Sequence, residues 1–326
     1  MALAAALATP AAAAETASAP VLEVPVDCTI GAPCVVQNYV DQDPGPGARD
    51  HACGPLSYDG HRGLDIRVPG APEMRAGVPV LAAAPGVVTV ARDGLADAPA
   101  PPSAAATPAA GNVVVIDHGR GWESQYSHLR RGSLAVRRGE RVEARARLGL
   151  IGRSGTAAFP HVHFEIRQRG RAMDPFTGLP AGSGCGRRGA ALWSPTARAA
   201  LGYRAGGLLR AGFATQAPSL ERALAQGNRA GGLGADVPAL VFWVAAWGLR
   251  EGDLERIRIL APDGRVLVQE TGRLPKNQAQ WLRYAGAERR GATFADGRYR
   301  GEYRLTRETG GRTIVVIELS RAVELR

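Results

Sequence analysis

The chain has 326 residues, 45% of them hydrophobic and 21% charged, a composition that can bury an ordinary globular core and excludes a disordered or fibrous polymer. Its formal net charge is +10, almost all of it arginine, with Lys276 the single lysine. The arginines are scattered and no stretch interleaves them with stacking aromatics, which argues against nucleic acid as a partner, while a cationic surface favours anionic ones.

Residues 1–20, "MALAAALATPAAAAETASAP", are apolar and small, with an Ala-rich site before Glu15 that resembles a signal-peptidase site. They are too short to span a bilayer and are expected to be an export signal, although the first basic residue is Arg49 and a floppy Ala-rich tail is the alternative. Residues 21–57 hold Cys28, Cys34 and Cys53; the fourth cysteine is Cys185. Four cysteines without a Cys-x-x-Cys pair point to disulfides in an oxidising compartment, with three connectivities open.

From 58 to 177 the pattern is of short strands punctuated by Gly and Pro: "VPVLAAAPGVVTVARDG", "GNVVVIDHG", "RLGLIGRSG", "HVHFEIRQRG". Residues 95–110, "LADAPAPPSAAATPAA", are of too low complexity to build a core and are read as an inserted loop. Residues 178–236 are a Gly, Ala and Arg-rich linker with one short helix, "SLERALAQ", capped by Ser219. Residues 237–326 return to strands, "ALVFWVAAWGL", "RIRILAPDGRVLVQE" and "YRLTRETGGRTIVVIELS", the last two reading as hairpins. The expected fold is mainly β: an antiparallel sheet domain followed by a small C-terminal β-sandwich that serves as a binding or positioning module.

All six histidines fall between residues 51 and 163. In "PHVHFEIR" a strand would place His161, His163 and Glu165 on one face and Val162, Phe164 and Ile166 on the other. In "HRGLDIRVP", His61 and Asp65 are four apart and share one face of either a strand or a helix. Imidazole and carboxylate are donors that zinc accepts, and three of them leave a fourth position for water, as in a catalytic site. Either histidine of "HVH" can complete such a set, and the other would then handle protons beside it. If both were ligands the site would be of cupin type. "YSHL" adds His128.

The ordered set His61-x-x-x-Asp65, "GNVVVIDHG…YSHL" and "GRSG…HVHFEI" resembles the LytM and lysostaphin type of zinc metallopeptidase, peptidase family M23, over roughly residues 58–177. The resemblance implies that His61, Asp65 and His163 hold one Zn2+ per chain and that His128 and His161 are the catalytic histidines. Two neutral imidazoles and one carboxylate would leave the ion a strong Lewis acid. Glu165, Tyr126 and His118 are possible outer partners, with ordinary packing or solvated charge as their blander roles. The substrate class implied is peptidoglycan, D-alanyl cross-links first and glycyl-glycine bonds second, which places the protein in the periplasm or cell envelope without a stable membrane span. The alternative is a catalytically silent or occluded wall-binding or activator protein of the same fold.

Overall fold

The computed structural model of the chain describes residues 19–98, 109–226 and 232–326. The expected export signal as far as residue 18, residues 99–108 of the Ala and Pro tract and residues 227–231 of the expected linker lie outside the described residues. In chain order the elements are β1 (Val35–Asn38), β2 (Leu64–Arg67), α1 (Ala71–Ala76), β3 (Pro79–Leu81), β4 (Gly86–Arg92), β5 (Asn112–Gly119) and β6 (Trp122–Leu129). Then come β7 (Arg141–Val142), β8 (Arg147–Leu150), β9 (His161–Gln168), β10 (Arg171–Met173), α2 (Pro195–Ala200), β11 (Gly207–Ala214) and α3 (Leu220–Ala225). The last strands are β12 (Ala239–Leu249), β13 (Leu254–Leu260), β14 (Val266–Arg273), β15 (Gln278–Glu288), β16 (Gly297–Thr309) and β17 (Arg312–Leu325).

The protein is mainly β, as expected, and the pairing between these strands is antiparallel throughout. One sheet runs β1-β2-β9-β6-β5-β4-β7, with β10 added beside β9, and β3 pairs with β8. The C-terminal region forms two more sheets, β11-β12-β15 and β14-β13-β16-β17. Turn chemistry matches the hairpins: Gly310 and Gly311 both take positive φ between β16 and β17, the conformation a two-residue primed turn needs. Ser219 caps α3, its hydroxyl accepting from the Arg222 N–H at 3.2 Å.

Strand β9 sits between β2 and β6, so its alternation decides what faces the core. Val162, Phe164 and Ile166 join Leu64, Ile66 and Tyr126 in one apolar cluster. The period of two then turns His161, His163 and Glu165 to the opposite face.

Strand β12 is buried on both faces. Trp243, Ala245 and Trp247 lie in the same cluster as Phe164 and Leu64, whereas Leu240, Phe242, Val244 and Ala246 pack with Ile257, Tyr303 and Leu305 of the outer sheet. A strand clothed on both sides reads as a continuous apolar run, as "ALVFWVAAWGL" does. The sheet β11-β12-β15 is therefore a middle layer whose inner row completes the core of the first sheet. A polar bond crosses the same junction, Arg67 Nη1 donating to Gln280 Oε1 at 2.9 Å.

Both cysteine pairs are bridged, Cys28–Cys34 and Cys53–Cys185, and no cysteine is free. The first joins residues six apart and the second residues 132 apart. Loop-closure entropy then assigns about 2 kcal/mol to the short bridge and about 5 kcal/mol to the long one. Cys53→Ser with Cys185→Ser is accordingly expected to move the urea midpoint much further than Cys28→Ser with Cys34→Ser. Equal shifts would show that loop length does not set their worth.

Candidate metal centre and paired histidines

His61, Asp65 and His163 converge on one point. Asp65 on β2 and His163 on β9 are direct partners in the ladder. His61 is not on the strand with Asp65, as the shared-face reading expected; it precedes β2 in a turn closed by its own N–H on the Tyr58 carbonyl at 3.0 Å. The turn carries the ring to the same place that strand alternation would have reached. His61 Nε2 lies 3.2 Å from Asp65 Oδ1 and 3.2 Å from His163 Nδ1, and His163 Nδ1 lies 2.9 Å from Asp65 Oδ1.

These three atoms suit a small divalent cation. Bonds of about 2.0–2.1 Å in a tetrahedron place zinc's donors about 3.3 Å apart, close to the spacing observed. His61 Nδ1 donates to the Tyr39 carbonyl at 2.7 Å; because a carbonyl only accepts, the proton sits on Nδ1 and the Nε2 lone pair faces the cluster. On the far side of His163, Nε2 lies 3.8 Å from Glu165 Oε2. The Tyr58 ring, half exposed, leans on His61 at 4.3 Å between centroids.

The electrostatics agree with a cation at this point. Burial would raise the Asp65 carboxyl, but His61, His161 and His163 around it outweigh that and hold it well below the usual carboxylate range. Burial works against a charged His163 ring, yet its hydrogen bond to Asp65 and the nearby Glu165 carboxylate prevail and raise it to about 9. The cluster attracts positive charge.

His128 and His161 stand beside this group with their rings 4.6 Å apart. His161 Nδ1 donates to the Phe159 carbonyl at 2.8 Å, and its Nε2 lies 3.5 Å from Asp65 Oδ1. His128 Nδ1 donates to the Ser154 carbonyl at 2.8 Å. Burial lowers both; repulsion from His161 adds to it at His128, which is pushed down to about 3, and repulsion from His163 and Arg67 adds to it at His161. Both rings are neutral near pH 7, each with its Nδ1 proton fixed and its Nε2 lone pair available.

His128 reaches the site through a break in strand regularity. Its φ is +62°, left-handed and uncommon for a residue with a Cβ, and the β5–β6 register shifts there: Asn112 pairs with Leu129 but Val114 with Tyr126. This bulge re-aims one side chain. Tyr126, expected to share a face with His128, therefore points the other way, fully buried against Phe164, its hydroxyl accepting from the Ala83 N–H at 2.7 Å. His118 is also placed elsewhere, between the Pro85 carbonyl at 2.7 Å and the Ser124 hydroxyl at 2.8 Å, and Ser124 bonds in turn to Tyr126. Tyr126 and His118 are thus bonded away from the histidine pair, while Glu165 stands behind His163 of the triad. Two contributors went unread in the sequence, the Tyr39 carbonyl and Asn38, whose amide donates to Asp65 Oδ2 at 2.9 Å; nothing in their local pattern marks them.

Residues 59–175 match the family model of peptidase family M23. Among curated proteins the chain is 33% identical over 114 residues to peptidoglycan DD-endopeptidase ShyA of Vibrio cholerae, covering 35% of this chain and 22% of that one. It is 36% identical over 104 residues to a lipoprotein NlpD/LppB homolog of Pseudomonas aeruginosa, covering 32% and 30%, and 31% identical over 124 residues to cell division protein DipM of Caulobacter vibrioides, covering 36% and 17%. The chain therefore spans less than a third of the length of each of these relatives. Among solved structures, the catalytic domain of the M23 protein EnpA from Enterococcus faecalis aligns at 24% identity with a TM-score of 0.32, over 45% of this chain and 93% of that one.

Proposed function

We propose, from the match of residues 59–175 to the family model of peptidase family M23, that the protein is an exported zinc metalloendopeptidase that hydrolyses peptide cross-links or stem peptides of bacterial peptidoglycan. The observation that carries the reading is the triad of donor atoms, 2.9 to 3.2 Å apart, with two neutral imidazoles at its edge. His61 Nε2, Asp65 Oδ1 and His163 Nδ1 would hold the metal. When bound, zinc supplies a Lewis acid and a water acidified to about pH 7.

The chain's own residues do the rest. Each of His128 and His161 presents Nε2 as a base, because a backbone carbonyl holds its Nδ1 proton. With the rings 4.6 Å apart, like-charge repulsion allows only one of them to take up an added proton and become charged at a time. One imidazole takes a proton of the attacking water at Nε2 and, as the imidazolium, passes that same proton to the leaving amine; the other offers its Nε2 lone pair to the second O–H of the water and holds it in line for attack. The cationic surface supports residence on an anionic wall. Two disulfides support an exported chain; among the described residues no helix is long and apolar enough to cross a membrane.

Purified sacculi digested with zinc-loaded protein are expected to yield muropeptide monomers from cross-linked dimers, by mass spectrometry, and to do so only without chelator. Zinc bound at one per chain with no conversion would shift the reading to a silent or occluded wall-binding or activator protein. The deep burial of His61 and Asp65 is the feature that favours that second reading.

A further inference from the structure

Strand β1 lies before the stretch that matches the family, in the segment tied down by Cys28–Cys34. Its pairing with β2 is not regular: Val35 opposes Arg67 and Val36 opposes Ile66, but Asn38 opposes Asp65. Gln37 is the extra residue of a β-bulge, a device that lets two successive side chains serve one face. Both are buried and both are used, Gln37 accepting from Arg67 Nη1 and Asn38 donating from Nδ2 to Asp65 Oδ2 at 2.9 Å.

The two oxygens of Asp65 therefore have separate duties. Oδ1 faces the ring nitrogens of His61, His161 and His163 at 3.2, 3.5 and 2.9 Å. Oδ2 is held by an amide that cannot titrate and, facing a carboxylate, can only donate. The next residue in the chain, Tyr39, holds His61 from behind through its carbonyl. Two of the three metal donors are thus oriented by adjacent residues of one strand and its extension.

We infer that Asn38 is a positioning residue for the metal carboxylate: its side-chain amide holds Oδ2 of Asp65 and so presents Oδ1 to the metal. This rests on the zinc reading above, and it makes the N-terminal segment part of the site rather than an appendage to it. Hydrogen-bond partners of metal ligands fix ligand orientation and basicity, and losing one typically costs about 10–100-fold in metal affinity or activity.

The test measures zinc affinity by chelator competition and the melting temperature of the zinc-free protein, on the full chain, for three forms. Asn38→Leu keeps the number and branching of the side-chain heavy atoms and removes the donor; Val36→Ala removes core packing from the same strand, where Val36 is 4% exposed, and touches no ligand. Asn38→Leu is expected to raise the zinc Kd by about 10–100-fold, and Val36→Ala to lower the melting temperature with the Kd held within about twofold. Should Asn38→Leu not fold, Asn38→Ala carries the same expectation. An unchanged Kd in the Asn38 variant, or an equal rise in both variants, would overturn the inference while leaving the zinc site standing. A wild-type chain that binds no zinc at neutral pH would defeat the metal reading itself, and the inference with it.

Discussion

Replacing His161 with alanine is expected to leave zinc bound at one per chain and to lower peptidoglycan hydrolysis by roughly 10²–10⁴-fold. The two halves of this result have different causes. Zinc stays because the donor triad is made by His61, Asp65 and His163, each oriented by groups other than His161: the Tyr39 carbonyl behind His61, Asn38 on Asp65, Glu165 behind His163. Activity falls because the neutral Nε2 of His161 is one of two bases beside the triad, and its loss removes one of the two groups that handle the protons of the attacking water. Metal analysis and a muropeptide assay on one purified variant read both halves. Loss of zinc with the fold intact would instead make both histidines of "HVH" ligands, the cupin arrangement, and would sink the assignment of His161.

Most of the site was legible because strand alternation is rigid. Once "HVHFEIR" is a strand with an apolar row, the imidazoles must share the other face, and β9 obeys. Legibility failed where the backbone leaves that regularity. His61 reaches Asp65 through a turn, so their spacing of four carried the right consequence for the wrong geometry. Tyr126 and His128, two apart, face opposite ways because the β5–β6 register slips at a residue with φ of +62°. Asn38 was invisible for the same reason: its partner depends on a bulge between β1 and β2, and pairing across 27 residues leaves no trace in local composition. In each case the exception is a bulge or turn beside the His61, Asp65 and His163 cluster, where irregular backbone re-aims a side chain.

The C-terminal region was legible in its strands but not in its attachment. Read as a self-contained sandwich, it would be removable. Removal of residues 237–326 is instead expected to leave a chain that neither stays soluble nor binds zinc. Trp243 and Trp247 are each 1% exposed and belong to the core that also holds Leu64, Phe164 and Trp193. Losing a buried tryptophan costs about 3–5 kcal/mol. Two of them approach or exceed the whole stability of about 5–15 kcal/mol that a typical domain has. The cut also removes Gln280 from Arg67, a fully buried guanidinium that among the described residues donates to neutral acceptors on Gln37, Val68, Pro69 and Gln280. Burying charge with fewer partners adds to the loss. Arg67 in turn lies 4.3 Å beneath the ring of Phe159, the residue whose carbonyl orients His161, so the damage reaches the His128–His161 pair as well as the core. Expression of the truncated chain, followed by sedimentation and zinc analysis, checks this. A soluble, zinc-binding fragment that hydrolyses small peptides would show that the middle sheet is an added module after all, and that the first sheet can close its core without the Trp243 row.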